Sequence, residues 1–132
     1  MDFKTGLNIP TLEASAILGL RVGYTNKQIS TEELRKAVKN SASKVENYTF
    51  SGTFTQTHIM VAGKGGEYEE PAVSINTSIY PRFPEEVARF KNNFIQFIGH
   101  LATALKQERV AIRFSDESLM LETEYCTKPD LK

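Results

Sequence analysis

The sequence predicts an α+β fold in which an antiparallel sheet carries two helices on one face. Strand-like runs, in which apolar and polar residues alternate, are interrupted twice by segments whose apolar residues recur at helical spacing. The resulting order is strand, helix, strand, strand, helix, strand, strand. With right-handed crossovers, two strand–helix–strand units form a ferredoxin-like βαββαβ sandwich, and the last strand adds a C-terminal hairpin to its sheet.

The first strand and the first helix have clear local signals. Residues 14–24 alternate in character and place Gly19 and Gly23 on one face, which predicts a central strand with two points of close backbone approach. Ser30 and Glu33 have the spacing of a capping box, which predicts that a helix begins there. The apolar stripe of this helix consists of Leu34, Ala37, Val38, Ala42 and Val45.

The second unit begins with a long strand and a glycine-rich loop. Residues 48–61 are rich in β-branched and aromatic side chains, and their apolar parity changes towards the end, so a bulge is expected near residues 56–58. Three glycines and a proline make residues 62–71 a loop. Residues 72–80 alternate again and predict the next strand of the sheet.

A second, more deeply buried helix and a hairpin complete the predicted fold. The helix is expected to run from about Pro84, which is tolerated in a first turn, to residue 107. Residues 109–114 and 119–125 are predicted strands, joined by a turn at 115–118.

Length and composition limit the possible classes of protein. At 132 residues the chain is expected to form a single domain, 1–132, with an N-terminal arm (1–12), a ferredoxin-like core (14–125) and a tail (127–132). Sixteen basic residues balance sixteen acidic ones, so neither nucleic acid nor a membrane is an expected partner, and no apolar run has membrane-spanning length. A single cysteine fits a cytoplasmic protein and excludes a cysteine-based metal cluster, and with only His58 and His100 a zinc site would need carboxylate ligands, so no metal is expected.

The predicted sheet has one face that the helices do not cover. That face would carry threonines, serines and some apolar residues. Small domains of this type commonly cover such a face or pair their sheet edges by forming dimers or trimers. We therefore expect a homo-oligomer whose ligand sites lie between subunits.

The glycine-rich loop contains the first group of candidate binding residues. Backbone N–H groups of Gly63, Lys64, Gly65 and Gly66 could bind a phosphate or a carboxylate, with the Lys64 ammonium adding charge. The spacing is not that of a Walker A loop. The alternative is a flexible connection between strands.

Three ionisable residues near this loop are candidates for catalysis. Glu69 and Glu70 lie at the predicted start of a strand, so they should point to opposite faces of the sheet. The one that faces a site could bind a cationic ligand or act as a base, and the alternative is a solvated pair. His58 lies where the apolar parity changes, and a bend there could direct its side chain into a site. The alternatives for His58 are an exposed surface residue or a hydrogen-bonded core residue.

Aromatic residues surround the same part of the sheet. They could stack on a purine or bind a cation through their ring faces. The alternative is packing in the core or at an interface. The residues concerned are Tyr48, Phe50, Phe54, Tyr68 and Tyr80.

From residue 14 to residue 125, the chain resembles the small S-adenosylmethionine lyases, long called hydrolases, that some bacteriophages make. The likeness includes Tyr48 at the opening of a strand, the long polar strand 52–62, the acidic pair Glu69 and Glu70 before an alternating strand, and the final hairpin. Those enzymes resemble the trimeric PII proteins in fold and bind their ligand between subunits. The resemblance therefore implies a PII-like homotrimer.

The resemblance also implies an activity. The enzymes cleave S-adenosylmethionine to methylthioadenosine and homoserine lactone without a cofactor, which counters host restriction, so the site of action would be the host cell cytoplasm. The family glutamate falls on Glu69, which we favour, or on Glu70, and Glu69→Gln is expected to abolish product. A family tyrosine falls on His58 or Ile59, and His58 or Tyr68 would replace it. Aromatic rings such as that of Tyr48 would hold adenine.

Two other functions remain open at this point. The chain could be a non-enzymatic oligomer that binds or sequesters an adenine-containing small molecule or signalling nucleotide. Basic residues would then matter more, because such ligands usually carry phosphates; they are Lys64, Arg82, Arg109 and Arg113. The chain could also be an assembly protein without a ligand.

Overall fold

The structure is a computed structural model that describes residues 2–21, 27–82 and 84–126. Gly23 and the tail, 127–132, lie outside the described residues. Helices and strands follow in the predicted order: β1 (Glu13–Gly19), α1 (Thr31–Ser43), β2 (Gly52–Val61), β3 (Tyr68–Ser78), α2 (Val87–Ala104), β4 (Arg109–Phe114) and β5 (Ser118–Glu122).

The five strands form one antiparallel sheet in the order β2-β3-β1-β4-β5. β1 is central and pairs with both β3 and β4, while β5 extends the sheet beyond β4 as the second strand of a hairpin. This is the strand order of a ferredoxin-like sandwich with one added strand, so the predicted fold class is confirmed.

The core lies between the helices and one face of the sheet. Alternate residues of the central strand, Ala14, Ala16 and Leu18, are buried against the apolar stripe of α2. In α2, Phe97 is fully buried, and its ring contacts those of Tyr48, Phe50 and Phe94 at centroid distances of 5.7, 4.9 and 6.2 Å. α2 is therefore the central helix of the core, as its wide apolar stripe predicts.

The two helices begin in different ways. α1 has the predicted capping box, because the Ser30 hydroxyl accepts a hydrogen bond from the Glu33 N–H and the Glu33 carboxylate accepts one from the Ser30 N–H. The predicted start of α2 near Pro84 is wrong. Glu86, the N-cap, has an extended backbone (φ −63°, ψ 140°), so the proline lies before the helix, not in its first turn.

The predicted bulge in β2 is also wrong. Every residue of β2 from Gly52 to Val61 has a partner on β3 without a break in register. The apolar parity changes because Tyr48 and Phe50, before the strand, pack against the helices, whereas Ile59 and Val61 lie on the opposite face of the sheet. The alternation itself stays regular.

The helices leave one face of the sheet uncovered, which we call the open face. Ile17 and Met120 on this face are 40% and 52% exposed. As predicted, hydroxyl side chains are abundant on it. From the strand registers its members are Glu13, Ser15, Ile17 and Gly19 of β1, Thr53, Thr55, Thr57, Ile59 and Val61 of β2, Tyr68, Glu70, Ala72, Ser74, Asn76 and Ser78 of β3, Arg109, Ala111 and Arg113 of β4, and Ser118, Met120 and Glu122 of β5.

Candidate active site

Glu69 and Glu70 point to opposite faces of the sheet. Both lie inside β3, not at its start, because this strand already begins at Tyr68. Glu70 is paired with Ile59 and lies on the open face, where it is only 9% exposed. Glu69 is paired with Met60 and is exposed. One carboxylate is thus buried and the other is solvated.

The Glu70 carboxylate lies directly over the backbone of Gly19 in the central strand. A Cβ atom on Gly19 would lie 2.7 Å from Oε2, 2.8 Å from Cδ and 2.8 Å from Oε1 of Glu70. Only glycine leaves this space, so the close approach predicted at Gly19 is confirmed. Burial of Glu70 depends on a residue that precedes it by about fifty positions.

The buried carboxylate is incompletely satisfied. Oε2 of Glu70 accepts no hydrogen bond from the described residues. Arg21 follows Gly19 by two residues, but the described part of the chain contains no ion pair within 4.0 Å between it and Glu70. Removing an unpaired carboxylate from water is costly, so this position is suited to a cationic ligand that would compensate the charge.

Partly apolar side chains surround Glu70 on the open face. Tyr68 precedes it by two residues on the same face of the sheet and is 37% exposed. Ile59 lies directly opposite Glu70, and Val61 lies opposite Tyr68. Together with Gly19 these residues offer a carboxylate at the base and apolar and aromatic surface around it.

His58 lies on the other side of the sheet from this carboxylate. Its partner on β3 is Pro71, and the regular alternation of β2 places it on the same face as Glu69. Its side chain is exposed. His58 and Glu70 therefore do not converge within one copy of the chain.

The glycine-rich loop forms an exposed turn between β2 and β3. Gly63 and Gly66 have φ angles of 146° and 138°, which L side chains rarely adopt, and the Gly66 N–H donates to the Gly63 carbonyl at 3.3 Å. Cβ atoms built on Gly63, Gly65 and Gly66 would meet no atom within 4 Å. Lys64, in the same turn, is exposed. In a single copy the loop projects from the sheet.

Tyr48 lies in a different part of the molecule, where it lines a cleft of about 540 Å³ at the N-terminal end of α2. Here Asn93, only 9% exposed, donates through Nδ2 to Oε1 of Glu85 at 3.3 Å. Burial, and secondarily the Glu85 carboxylate, raises the pKa of the half-buried Tyr48 hydroxyl above its ordinary range. Ser78 also lines the cleft, and it is eight residues from Glu70, roughly 25 Å along β3.

Three residues of these two sites had little or no functional signal in the sequence. Asn93 is a polar residue within the apolar stripe of α2, and this interruption is the one signal that the sequence contains for it. Glu85 looks like an ordinary acidic residue near a helix start. Gly19 was recognisable as a point of close approach, but not as the residue under Glu70.

Neither a metal cluster nor a membrane span was found in residues 2–21, 27–82 and 84–126. No group of three or more His, Cys, Asp and Glu residues there could hold a metal ion. No helix there is both long and apolar enough to cross a bilayer.

Solved structures of phage S-adenosylmethionine (SAM) lyases have a similar fold. A phage SAM lyase in complex with S-methyl-5'-thioadenosine shares 17% identity with this chain at a TM-score of 0.72, over 93% of this chain and 98% of that chain. A phage SAM lyase in the apo state shares 17% identity at a TM-score of 0.68, over 86% and 90%. No protein-family model and no curated protein matches the chain. At this identity the likeness shows a common fold.

Proposed function

We propose that this protein is a lyase that cleaves S-adenosylmethionine to methylthioadenosine and homoserine lactone. The observation that carries the proposal is the Glu70 carboxylate, which is buried over Gly19 on an otherwise open sheet face and leaves Oε2 without a partner. S-adenosylmethionine carries two cationic groups that such a carboxylate can bind. The fold shared with phage SAM lyases supports the same class of substrate.

The reaction needs little chemistry from the protein. A carboxylate oxygen of the substrate attacks its own Cγ, the Cγ–S bond breaks, and its electron pair goes to sulfur. Neutral methylthioadenosine leaves and the ring of homoserine lactone closes, so neither water nor an enzyme nucleophile is consumed. The protein has to fold the methionine part into the attacking conformation, which positioning alone can achieve.

Glu70 fits the α-ammonium group of the substrate better than the sulfonium. The sulfonium loses its charge as the Cγ–S bond breaks, so a carboxylate beside it would stabilise the ground state more than the transition state. The ammonium keeps its charge throughout. A contact between Glu70 and the ammonium therefore orients the methionine part without opposing the reaction.

The other predicted residues would act around this contact. We place the ring of Tyr68 against the ligand, because it shares the open face with Glu70. Glu69 and His58 lie on the other face, and Ser78, which lines the cleft that contains Tyr48, is roughly 25 Å from Glu70 along β3. We therefore assign the contact with the ammonium to Glu70 and not to Glu69, which the sequence favoured. His58 and Tyr48 would reach the same ligand only from a second copy of the chain. The proposal accordingly includes a homo-oligomer, with a trimer favoured, and a counter-restriction role in the host cytoplasm.

Product analysis tests this proposal directly. The purified protein is incubated with S-adenosylmethionine and the mixture is followed by mass spectrometry. Equal amounts of methylthioadenosine and homoserine lactone are expected, and heavy-oxygen water should not label the lactone when it first forms. Unchanged substrate, or a product that has incorporated solvent oxygen during cleavage, would contradict the lyase mechanism.

A non-enzymatic binding protein for an adenine-containing molecule is the second candidate. It is favoured by His58, which stands where a tyrosine is expected and lies away from Glu70. Under this hypothesis S-adenosylmethionine stays intact but raises the melting temperature of the protein. The same incubation, combined with a thermal melt, separates the two functions.

A further inference from the structure

A second groove, of about 580 Å³, lies at the opposite end of the open face from Glu70. Asn76, which lines it, is six residues from Glu70 along β3, which corresponds to about 20 Å. Its lining is mainly hydroxyl and amide side chains from four strands and their flanking loops. They include Ser15, Ser51, Thr53, Asn76, Ser78 and Ser115.

Two opposite charges lie in this groove without pairing. The strand register places Arg113 opposite two neutral residues, Ser15 of β1 and Ser118 of β5. Glu13 of β1 is its diagonal neighbour. Diagonal neighbours have Cβ atoms about 7–8 Å apart, which is within reach of long side chains. Nevertheless, among the residues that the structure describes, neither Arg113 nor Glu13 forms an ion pair within 4.0 Å.

The neighbouring charges of the same strands behave differently. Arg109, on the same strand and face as Arg113, lies opposite Glu122 and forms an ion pair with it, with Nε and Oε2 3.2 Å apart. β4 thus carries one arginine that forms an ion pair within the fold and one that lines a groove without such a pair. This contrast indicates that Arg113 and Glu13 are available to a ligand.

We propose that this groove binds a zwitterionic α-amino acid. Its carboxylate would bind the Arg113 guanidinium, which offers two parallel N–H donors, and its ammonium would bind the Glu13 carboxylate. The neutral hydroxyl and amide groups of Ser15, Asn76 and Ser78 would complete the hydrogen bonds. A simple anion would be repelled by Glu13 and a simple cation by Arg113, so the pair selects a ligand with both charges.

This inference does not rest on the proposed lyase activity. The groove and the Glu70 site use different side chains at different ends of the sheet. Glu70→Gln should therefore leave amino-acid binding in the groove unchanged, and loss of binding at Arg113 would say nothing against the lyase.

The test uses backbone amide NMR of the full chain titrated with L-methionine. L-Methioninol, which lacks the carboxylate, N-acetyl-L-methionine, which lacks the ammonium, and inorganic phosphate serve as comparison probes. We expect L-methionine to shift the amides of Ser15, Asn76 and Arg113 saturably, and each comparison probe to bind at least about tenfold more weakly.

Variants locate the binding. Arg113→Gln and Glu13→Gln should each weaken L-methionine binding about tenfold or more, and Arg109→Gln is the matched control that should leave it within about twofold. Equal binding of phosphate, absence of saturable shifts, or equal effects of the two arginine variants would overturn the proposal. Melting temperatures of all variants exclude unfolding as the cause.

Discussion

Substitution of Gly19 by alanine tests how strictly the position of the Glu70 carboxylate is set by the central strand. The added Cβ would have three contacts with the carboxylate below 3.0 Å, the shortest 2.7 Å to Oε2. An ordinary contact begins at about 3.4 Å, so the carboxylate has to move by about 0.7 Å or rotate towards solvent. The atoms that must move belong to the end of a side chain, so the fold itself should survive.

The expected loss of activity is much larger than the loss of stability. A misplacement of about 1 Å can cost about a hundredfold in rate, so a shift of about 0.7 Å should lower kcat/KM for S-adenosylmethionine between about tenfold and a hundredfold. Overpacking costs typically about 1–3 kcal/mol, and the free energy of unfolding should fall by no more than the lower end of this range because the carboxylate can rotate away.

Methylthioadenosine formation and urea unfolding provide the two measurements. Gly99→Ala is a matched control. Gly99 lies in helix α2, and a Cβ there would meet the Leu121 side chain of β5 at an ordinary distance of 3.6 Å. It should keep full activity and gain about 0.5–1 kcal/mol from the removal of a helical glycine. Wild-type activity in Gly19→Ala would refute the reasoning, since activity would then not depend on the position of the Glu70 carboxylate.

Three further predictions concern the fold and the Tyr48 cleft. Ser30→Ala removes the cap of α1 and should cost about 1 kcal/mol in urea unfolding, whereas an unchanged midpoint would contradict the capping role. Phe97→Ala should cost about 3–5 kcal/mol because it removes a fully buried ring, and a loss below 1 kcal/mol would show that the core differs from the one described. The raised pKa of Tyr48 means that the folded state keeps this hydroxyl protonated above its ordinary pKa of 10.0, where the unfolded chain loses the proton. Stability should therefore fall as pH rises above 10, and Tyr48→Phe should make that fall less steep; identical pH profiles would contradict the assignment.

Local patterns predicted most of the fold. The capping box at Ser30 needs only residues three apart, and β4 has the predicted bounds because it alternates cleanly between two turns. The close approach at Gly19 was predictable because a glycine weakens the interior of a strand and therefore often marks a position where another group approaches the backbone closely. In each case the signal that predicts the feature lies within a few residues of sequence, although the group that approaches Gly19 comes from a distant strand.

The candidate site was less predictable because it depends on distant residues. Glu70 and Glu69 look alike in sequence, and only the pairing of β3 with β1 places Glu70 over Gly19 and leaves Glu69 in solvent. The change of apolar parity in β2 predicts a bulge near His58. The strand instead alternates without a break, so His58 lies on the face of the sheet opposite Glu70. The link between Asn93 and Glu85 joins a helix to the loop before it and has no local pattern.

The matched pair Glu70→Gln and Glu69→Gln tests the central claim most directly. A contact between a carboxylate and the substrate ammonium is worth about 1.5–3 kcal/mol, so Glu70→Gln should lower kcat/KM for methylthioadenosine formation about tenfold to 150-fold. Its free energy of unfolding should be unchanged or higher, because an unsatisfied buried charge is removed. Glu69→Gln should retain activity within about twofold. Full activity in Glu70→Gln, or loss of activity in Glu69→Gln alone, would contradict the account.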